Sequence, residues 1–294
     1  MLTSELSGLR RSIRLGGERK LASTTALIAV PAGSSTANVR VKKKRKETDV
    51  IKTEVDMSRL ELFNKQWQGL LKMRASRNAD VDLFGAEALS SGVDLKPKVM
   101  RYHALIAVML SSQTRDPITA VAMNNLKAMK GGLTVETINE TSESDLKDLI
   151  YGVGFYNRKA KFIKETTRIL SDLYDSDLPN DLDLVCSLPG CGQKMAKIAL
   201  RIGWGNVCGI SVDTHVHRVA RRIGWSSERA TTPEKTAAEL ESWVPRQVWD
   251  KLNLIVVGFG QQVCKAPNPS CESCLIKDLC ERNGIARKNV PKKP

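Results

Sequence analysis

The stretch "LPGCGQKMAKIAL" (188–200) runs from a turn rich in Pro and Gly directly into a pattern typical of a helix. Its Pro189, Gly190 and Gly192 lie between two segments with helical patterns. Glycine permits positive φ and leaves backbone N–H groups exposed, and adjacent N–H groups at a helix N-terminus bind phosphate. The pattern is that of a helix-hairpin-helix DNA-binding motif, although a simple tight turn between two helices explains the same residues.

Lys194 lies in the first turn of the second predicted helix. Because a helix N-terminus favours anions and disfavours cations, an ordinary lysine is out of place there. Three interpretations are open: a surface lysine, a phosphate-binding cation and a reactive amine. Desolvation and a helix N-terminus both favour the neutral amine, which is the nucleophilic form, so the position suits a nucleophile.

The net charge of +14 over 294 residues indicates an acidic partner, most often nucleic acid. Residues 1–50 contain eleven Lys and Arg against four Asp and Glu, and the other 244 residues contain 35 against 28, so each part carries +7. No run of 18 or more apolar residues is present, so neither a transmembrane helix nor a membrane partner is expected.

Residues 1–55 lack apolar periodicity and are expected to be a disordered basic tail. Its segment "VRVKKKRK" (39–46) is typical of a nuclear localisation signal. The Arg- and Ser-rich segment 1–24 resembles a mitochondrial transit peptide, against which Glu5 and Glu18 count. A solvated tail that adds nonspecific DNA affinity is a third interpretation. We expect a nuclear protein, with the mitochondrion as the second compartment.

From residue 56 onward, helical patterns dominate and no period-2 run appears, so the predicted fold class is all-α. Leu60, Phe63 and Trp67 begin one apolar stripe, and the segment 99–113 is apolar on nearly all faces, as in a buried central helix. Thr232 followed by a proline predicts a helix start.

The segment "ISVDTHVHRVARRIGW" (210–225) places Asp213 at the start of a predicted helix. An aspartate in that position is usually an N-cap. His215 and His217 are two residues apart and therefore face different sides of the helix, which makes them a poor pair of metal ligands.

Four cysteines occur within seventeen residues, with the spacing C-x6-C-x2-C-x5-C: Cys264, Cys271, Cys274 and Cys280. Four thiolates so close together suit Zn²⁺ or an iron–sulfur cluster. Zinc ribbons usually use two C-x2-C pairs, and the single pair here modestly favours iron–sulfur. A disulfide pairing is the less favoured interpretation without a secretory signal. The other three cysteines are expected to be small buried apolar residues: Cys186, Cys191 and Cys208.

The hairpin, its lysine and "VDTHVHR" about twenty residues later together resemble the endonuclease III family of DNA glycosylases, from about residue 60 to 284. The resemblance implies that Lys194 is the nucleophile and Asp213 the essential carboxylate. The segment "LSSQTRD" (110–116) is similar to the family segment whose glutamine fills the vacated base stack, here Gln113. The segment "GVGFYNRKA" (152–160) is similar to the second insertion loop, which presents Phe155 here. Without the resemblance, a polar residue at a helix end and a core aromatic are the plainer interpretations.

The family resemblance also implies a cofactor, a domain division and partners. The cofactor is a [4Fe–4S] cluster on the four cysteines. The domains are a six-helix barrel with the hairpin (95–207) and a cluster domain (56–94 with 208–284), followed by a basic tail (285–294). The hairpin contacts with DNA are assigned to a set of four residues: Leu188, Pro189, Gly190 and Gly192. The expected partner is double-stranded DNA with damaged pyrimidines or abasic sites, bound by a monomer, with downstream repair proteins as candidate partners.

The function that follows is a DNA glycosylase with β-lyase activity on oxidised pyrimidines. One alternative is a monofunctional adenine-type glycosylase of the same superfamily, against which Lys194 counts. The other is a noncatalytic helix-hairpin-helix DNA-binding module with a structural metal.

Overall fold

The computed structural model describes residues 42–92 and 95–285, with side chains described from residue 57 onward. Both predicted targeting segments lie at least partly outside the described residues, as does most of the C-terminal tail. All regular secondary structure in the described ranges is helical, which confirms the all-α prediction. No helix in the described part of the chain is long and apolar enough to cross a membrane.

Thirteen α-helices and two short 3₁₀ helices follow one another in the described residues. In chain order the α-helices are α1 (Lys42–Met73), α2 (Asp80–Phe84), α3 (Ala86–Ser90), α4 (Pro97–Ser111), α5 (Asp116–Lys127), α6 (Val135–Glu140), α7 (Glu143–Leu149), α8 (Tyr156–Leu173), α9 (Leu182–Cys186), α10 (Gln193–Trp204), α11 (Thr214–Arg222), α12 (Pro233–Glu241) and α13 (Trp249–Gln262). The 3₁₀ helices are Arg246–Val248 and Lys277–Leu279.

Helix α1 begins at Lys42 and therefore includes residues 42–55, which the sequence analysis places in a disordered tail. The segment contains Lys, Arg and Glu without Gly or Pro, and these residues favour helix. The predicted helical region begins only at residue 56, since the residues before it show no apolar periodicity. Helix propensity does not require an apolar stripe, so α1 begins earlier.

The described residues from Lys52 onward belong to one compact unit, which contains two hydrophobic cores. The first core is built on α4, where every residue from Arg101 to Leu110 is buried, as predicted for a central helix. Its other members come from the segment between Leu89 and Leu200. The charged side chain of Arg101 within this helix forms two 2.7 Å hydrogen bonds to the carboxylate of Asp177.

The second core combines α1 with the chain from Ile210 to Ile276. Phe63 and Trp67 of the predicted stripe stack on each other, and both pack against Trp225. The core therefore joins two distant parts of the sequence. The two cores support, as a proposal, the division into a barrel domain (95–207) and a cluster domain (56–94 with 208–284). Leu89 departs from this division, because it lies in the segment 56–94 but packs in the first core, that of the barrel domain.

Candidate active site

The hairpin connects α9 to α10 through residues 187–192. The Asp181 side chain caps α9 by accepting a hydrogen bond from Leu184 N, and α10 follows Gly192 without any side-chain cap. The N–H groups at the start of α10 therefore have no capping side chain in the described structure, as a phosphate site requires. Leu188 is only 3% exposed and belongs to the first core. The side chain of Leu188 packs in that core, so its predicted contact with DNA stays a prediction that concerns its backbone.

The two glycines of the hairpin differ in their surroundings. Gly190 has φ +76°, and a Cβ there would lie 2.6 Å from the Phe162 ring, so both its conformation and its packing exclude a side chain. A Cβ at Gly192 would meet no atom within 4 Å. Packing within the protein therefore gives no reason for glycine at position 192.

Lys194 Nζ lies 3.9 Å from Asp213 Oδ2. Lys194 is in the first turn of α10, and its side chain is 43% exposed. Asp213 is the N-cap of α11, as predicted, and its Oδ1 accepts a 2.8 Å hydrogen bond from Val216 N. The cap hydrogen bond holds Oδ1, whereas Oδ2 is the oxygen near the amine of Lys194. The Asp213 side chain is 15% exposed. The structure thus brings the two predicted reactive groups together.

A cleft of about 480 Å³ surrounds this pair. Four of its lining residues carry polar side chains to which the sequence analysis gave no cleft role: Asp116, His215, Asn253 and Gln261. Gln261 Nε2 donates a 2.8 Å hydrogen bond to Asp116 Oδ2, and burial raises the pKa of the Asp116 carboxyl. Asn253 donates to the Ser211 carbonyl. Single polar residues on helices give no signal in a sequence, so only the fold reveals them.

His215 also lines this cleft, and burial lowers the pKa of its imidazole, which favours the neutral form. Its Nδ1 lies 3.2 Å from Arg218 Nη2 and accepts from it, because guanidinium has only donors. The same nitrogen of Arg218 donates to the carbonyls of Gly260 (3.0 Å) and Cys264 (3.2 Å). Arg218 therefore joins the cleft to the first cysteine of the cysteine loop.

Gln113 and Phe155 lie on adjacent loops, both with exposed side chains. Their φ values, +51° and +59°, are in the left-handed region that non-glycine residues seldom adopt. Phe155 is 60% exposed, which excludes the interpretation of a core aromatic. Gln113 also lines the cleft that holds Lys194. An exposed apolar ring beside the cleft is what an insertion residue requires.

The four cysteines of the loop line one largely apolar pocket with Ile223, Phe259 and Ile276. Within the described ranges, no three Cys, His, Asp or Glu side chains converge as ligands of a single metal ion. A cube of iron and sulfide is held by four thiolates, so four thiols around one pocket fit such a cluster. Arg222 is buried against the loop, with Nη1 lying 3.6 Å from Cys264 Sγ and 2.7 Å from the Lys265 carbonyl.

The other three cysteines differ in burial. Cys191 is buried in the first core, as predicted, and burial raises the pKa of its thiol to about 12, so the reactive thiolate is disfavoured. Cys186 and Cys208 are only partly buried, because they lie at the edge of that core.

The chain is similar to known proteins of base excision DNA repair. Residues 106–246 match the model of the HhH-GPD superfamily of base excision DNA repair proteins. Endonuclease III-like protein 1 of Mus musculus is 46% identical over 218 residues, which is 74% of this chain and 72% of that protein. The endonuclease III homolog of Schizosaccharomyces pombe is 39% identical over 233 residues, 76% of this chain and 64% of that protein.

Among solved structures, a trapped endonuclease III–DNA covalent intermediate has a TM-score of 0.64 at 26% identity, covering 76% of this chain and 95% of that one. A non-covalent endonuclease III–DNA complex has a TM-score of 0.62 at 27% identity, covering 77% and 94%. The chain therefore belongs to the endonuclease III family of base excision DNA repair glycosylases.

Proposed function

We propose that this glycosylase is bifunctional: it removes oxidised pyrimidines from double-stranded DNA and then cleaves the strand by β-elimination. The observation that carries the proposal is the 3.9 Å approach of Lys194 Nζ to Asp213 Oδ2 inside the cleft. That a relative has been trapped as a covalent intermediate with DNA supports an amine nucleophile.

Lys194 is the nucleophile in this proposal. Its neutral amine attacks C1′, and the C1′–N bond to the base breaks as the base leaves with the bonding electrons. Opening of the sugar ring and loss of the amine proton give a Schiff base. Removal of a C2′ proton then expels the 3′ phosphate. A glycosylase without an amine at this position ends at base removal, which separates this proposal from the adenine-type alternative.

Asp213 stabilises the positive charge that develops on the sugar as the glycosidic bond breaks. The N-cap hydrogen bond to Val216 N fixes the carboxylate before substrate arrives, so little reorganisation accompanies the reaction. The start of α10 binds the DNA phosphate through backbone N–H groups, with Pro189 and the two glycines shaping the hairpin. Gln113 and Phe155 enter the duplex where the damaged nucleotide is flipped out.

The four cysteines of the loop would hold a [4Fe–4S] cluster, whose contribution is to organise the loop and the basic surface around it. Family membership and the shared pocket support this assignment. Analysis of iron, sulfide and zinc in the purified protein tests it, because zinc gives neither sulfide nor visible absorbance. Zinc in place of iron would contradict it.

Borohydride trapping tests the proposed chemistry. We expect wild-type protein to form a reducible covalent complex with duplex DNA that contains thymine glycol or an abasic site, and Lys194→Gln to form none while still binding DNA. Lys161→Gln, which changes an exposed lysine on α8, is a matched control and should trap normally. Persistent trapping in Lys194→Gln would overturn the assignment, and binding without any trapping in wild type would favour the noncatalytic module.

For localisation we propose the nucleus, with the mitochondrion second. The motif at 39–46 supports the first compartment, and the Arg- and Ser-rich N-terminus supports the second. Imaging of the full chain with a fluorescent C-terminal tag, with and without Lys42–Lys44 replaced by alanine, distinguishes them.

A further inference from the structure

Lys159 is a buried cation in the first turn of α8. Lys159 is 7% exposed, and its Nζ donates hydrogen bonds to the carbonyls of Leu110 (2.7 Å) and Ser112 (2.6 Å). A third bond, of 3.2 Å, goes to Thr114 Oγ1. No described carboxylate lies within 4.0 Å of this ammonium, so the three oxygens are its compensation for lost hydration.

Thr114 extends this contact to the neighbouring loop. Its Oγ1 accepts a 3.1 Å hydrogen bond from Gly154 N and donates one to the Ser112 carbonyl. Gly154 lies so close to the Gln113 carbonyl that no side chain fits between them. The loop before α5 and the loop before α8 are therefore fastened together at a node of three residues: Thr114, Gly154 and Lys159.

Each of the two fastened loops presents one exposed side chain next to that node. Gln113 directly precedes Thr114, and Phe155 directly follows Gly154. Both residues have left-handed φ values, so their backbone conformation has to be maintained by surrounding contacts. The node contacts lie directly beside both residues, and the Phe155 carbonyl in addition accepts a 3.0 Å hydrogen bond from Lys159 N.

We propose that Lys159 is a positioning residue that sets the spacing of Gln113 and Phe155, so that both enter the duplex as one rigid pair when a nucleotide is extruded. This rests on the proposed roles of Gln113 and Phe155. Lys159 touches neither the cleft residues Lys194 and Asp213 nor, on this proposal, the DNA.

A purely structural role is the competing explanation. The Leu110 carbonyl is one of the last four of α4, and a lysine there stabilises a helix C-terminus. That role would change stability alone. A positioning role would change extrusion of a stacked base, and would spare a substrate in which nothing has to be extruded.

The test compares Lys159→Met, which retains chain length without donors, with the pair Thr114→Val and Thr114→Ser, of which only serine retains the hydroxyl. We expect single-turnover base release from thymine glycol duplex to fall about 10- to 100-fold in Lys159→Met and Thr114→Val, the range for misplaced groups. Thr114→Ser should stay near wild type. Cleavage of an abasic site in single-stranded DNA should stay within about twofold of wild type, less than 0.5 kcal/mol in barrier.

The fluorescence of a 2-aminopurine placed opposite the lesion reports the loss of base stacking directly. We expect this fluorescence to rise when wild-type protein binds, and not to rise with Lys159→Met or Thr114→Val. Adding Lys159→Met to the Gln113→Ala/Phe155→Ala protein should not lower the rate of base release further, since the side chains that Lys159 positions are already absent. If Lys159→Met does not fold, Thr114→Val carries the same comparison.

Equal losses on duplex lesion and single-stranded abasic site, or unchanged base release in Lys159→Met, would overturn the inference. So would a Gln113→Ala/Phe155→Ala protein with normal base release, which would also remove the proposed insertion. The covalent chemistry of Lys194 is tested separately by trapping and would stand in either case.

Discussion

Lys194 and Asp213 approach to 3.9 Å although their helices are anchored in different hydrophobic cores. Helix α10 buries Ala196, Ala199 and Leu200 in the first core, whereas α11 buries Val216 and Val219 in the second. The reactive pair is therefore assembled where the two cores meet. Substitutions that shift one core against the other are expected to impair catalysis without touching either residue.

Asp213 has two separable tasks, and two substitutions distinguish them. Asparagine retains the cap oxygen and loses the charge, so Asp213→Asn should keep its thermal stability while base release falls by about 100-fold or more. Asp213→Ala loses both, and we expect an additional loss of about 1 kcal/mol in unfolding free energy. Urea unfolding and single-turnover base release measure the two effects. Equal stability of the two variants would contradict the capping role.

The two hairpin glycines should respond differently to alanine. Gly190→Ala forces a side chain into the Phe162 ring at positive φ, so we expect a lower melting temperature. Gly192→Ala meets no atom of the protein, so the fold should be unchanged and DNA affinity should fall. Thermal unfolding and fluorescence anisotropy with an abasic duplex measure these effects. Full DNA affinity in a folded Gly192→Ala protein would remove the phosphate-binding role of the hairpin.

Replacing one cysteine of the loop should affect iron content and the second core together. Two of the four cysteines, Cys264 and Cys274, belong to that core. Cys271→Ser should therefore lose iron and unfold at a lower temperature, as proteins with bound cofactors do when the cofactor is removed. The control is Cys186→Ser, outside the loop, which should keep both. Unchanged iron content in Cys271→Ser would contradict the assigned ligand set.

His103 should make stability depend on pH. Its Nε2 lies 2.9 Å from the Leu133 carbonyl, and burial lowers the pKa of the imidazole. The folded protein takes up a proton less readily than the unfolded chain, so stability is fully present above about pH 6.5 and is lost as the pH falls below it. His103→Gln should remove this component.

The measurement is urea unfolding of wild type and His103→Gln from about pH 5 to about pH 8. The unfolding free energy of wild type minus that of His103→Gln should be constant above neutrality and should decrease as the pH is lowered. A difference that does not depend on pH would show that His103 titrates alike in both states.

Motifs with a chemical reason for their spacing were the most predictable part of this molecule. The hairpin, the Asp213 cap and the buried helix α4 are each encoded within about fifteen residues and appear where predicted. The start of α1 was not predicted, because the prediction relied on apolar periodicity and helix propensity does not require it. The buried side chain of Leu188 was not predicted, because burial depends on packing that a local pattern does not contain.

Lys159 is an intermediate case. It lies on the same face of α8 as Ile163, Thr166 and Leu170, which are all buried, so helical periodicity already marks it as a lysine on the inner stripe. What it binds there could not be predicted, since Leu110 and Ser112 are almost fifty residues away in sequence. The same limit holds for Asp116 and Gln261, whose contact joins α5 to α13.

Arg218 gives the cleft a mechanical link to the cysteine loop. One guanidinium nitrogen contacts His215 in the cleft and the Cys264 carbonyl in the loop. Displacement of Cys264 would remove one acceptor from this guanidinium, whose hydrogen bonds to Gly260 and His215 would then have to readjust. The position of the cysteine loop is therefore coupled to a histidine that lines the same cleft as Lys194 and Asp213.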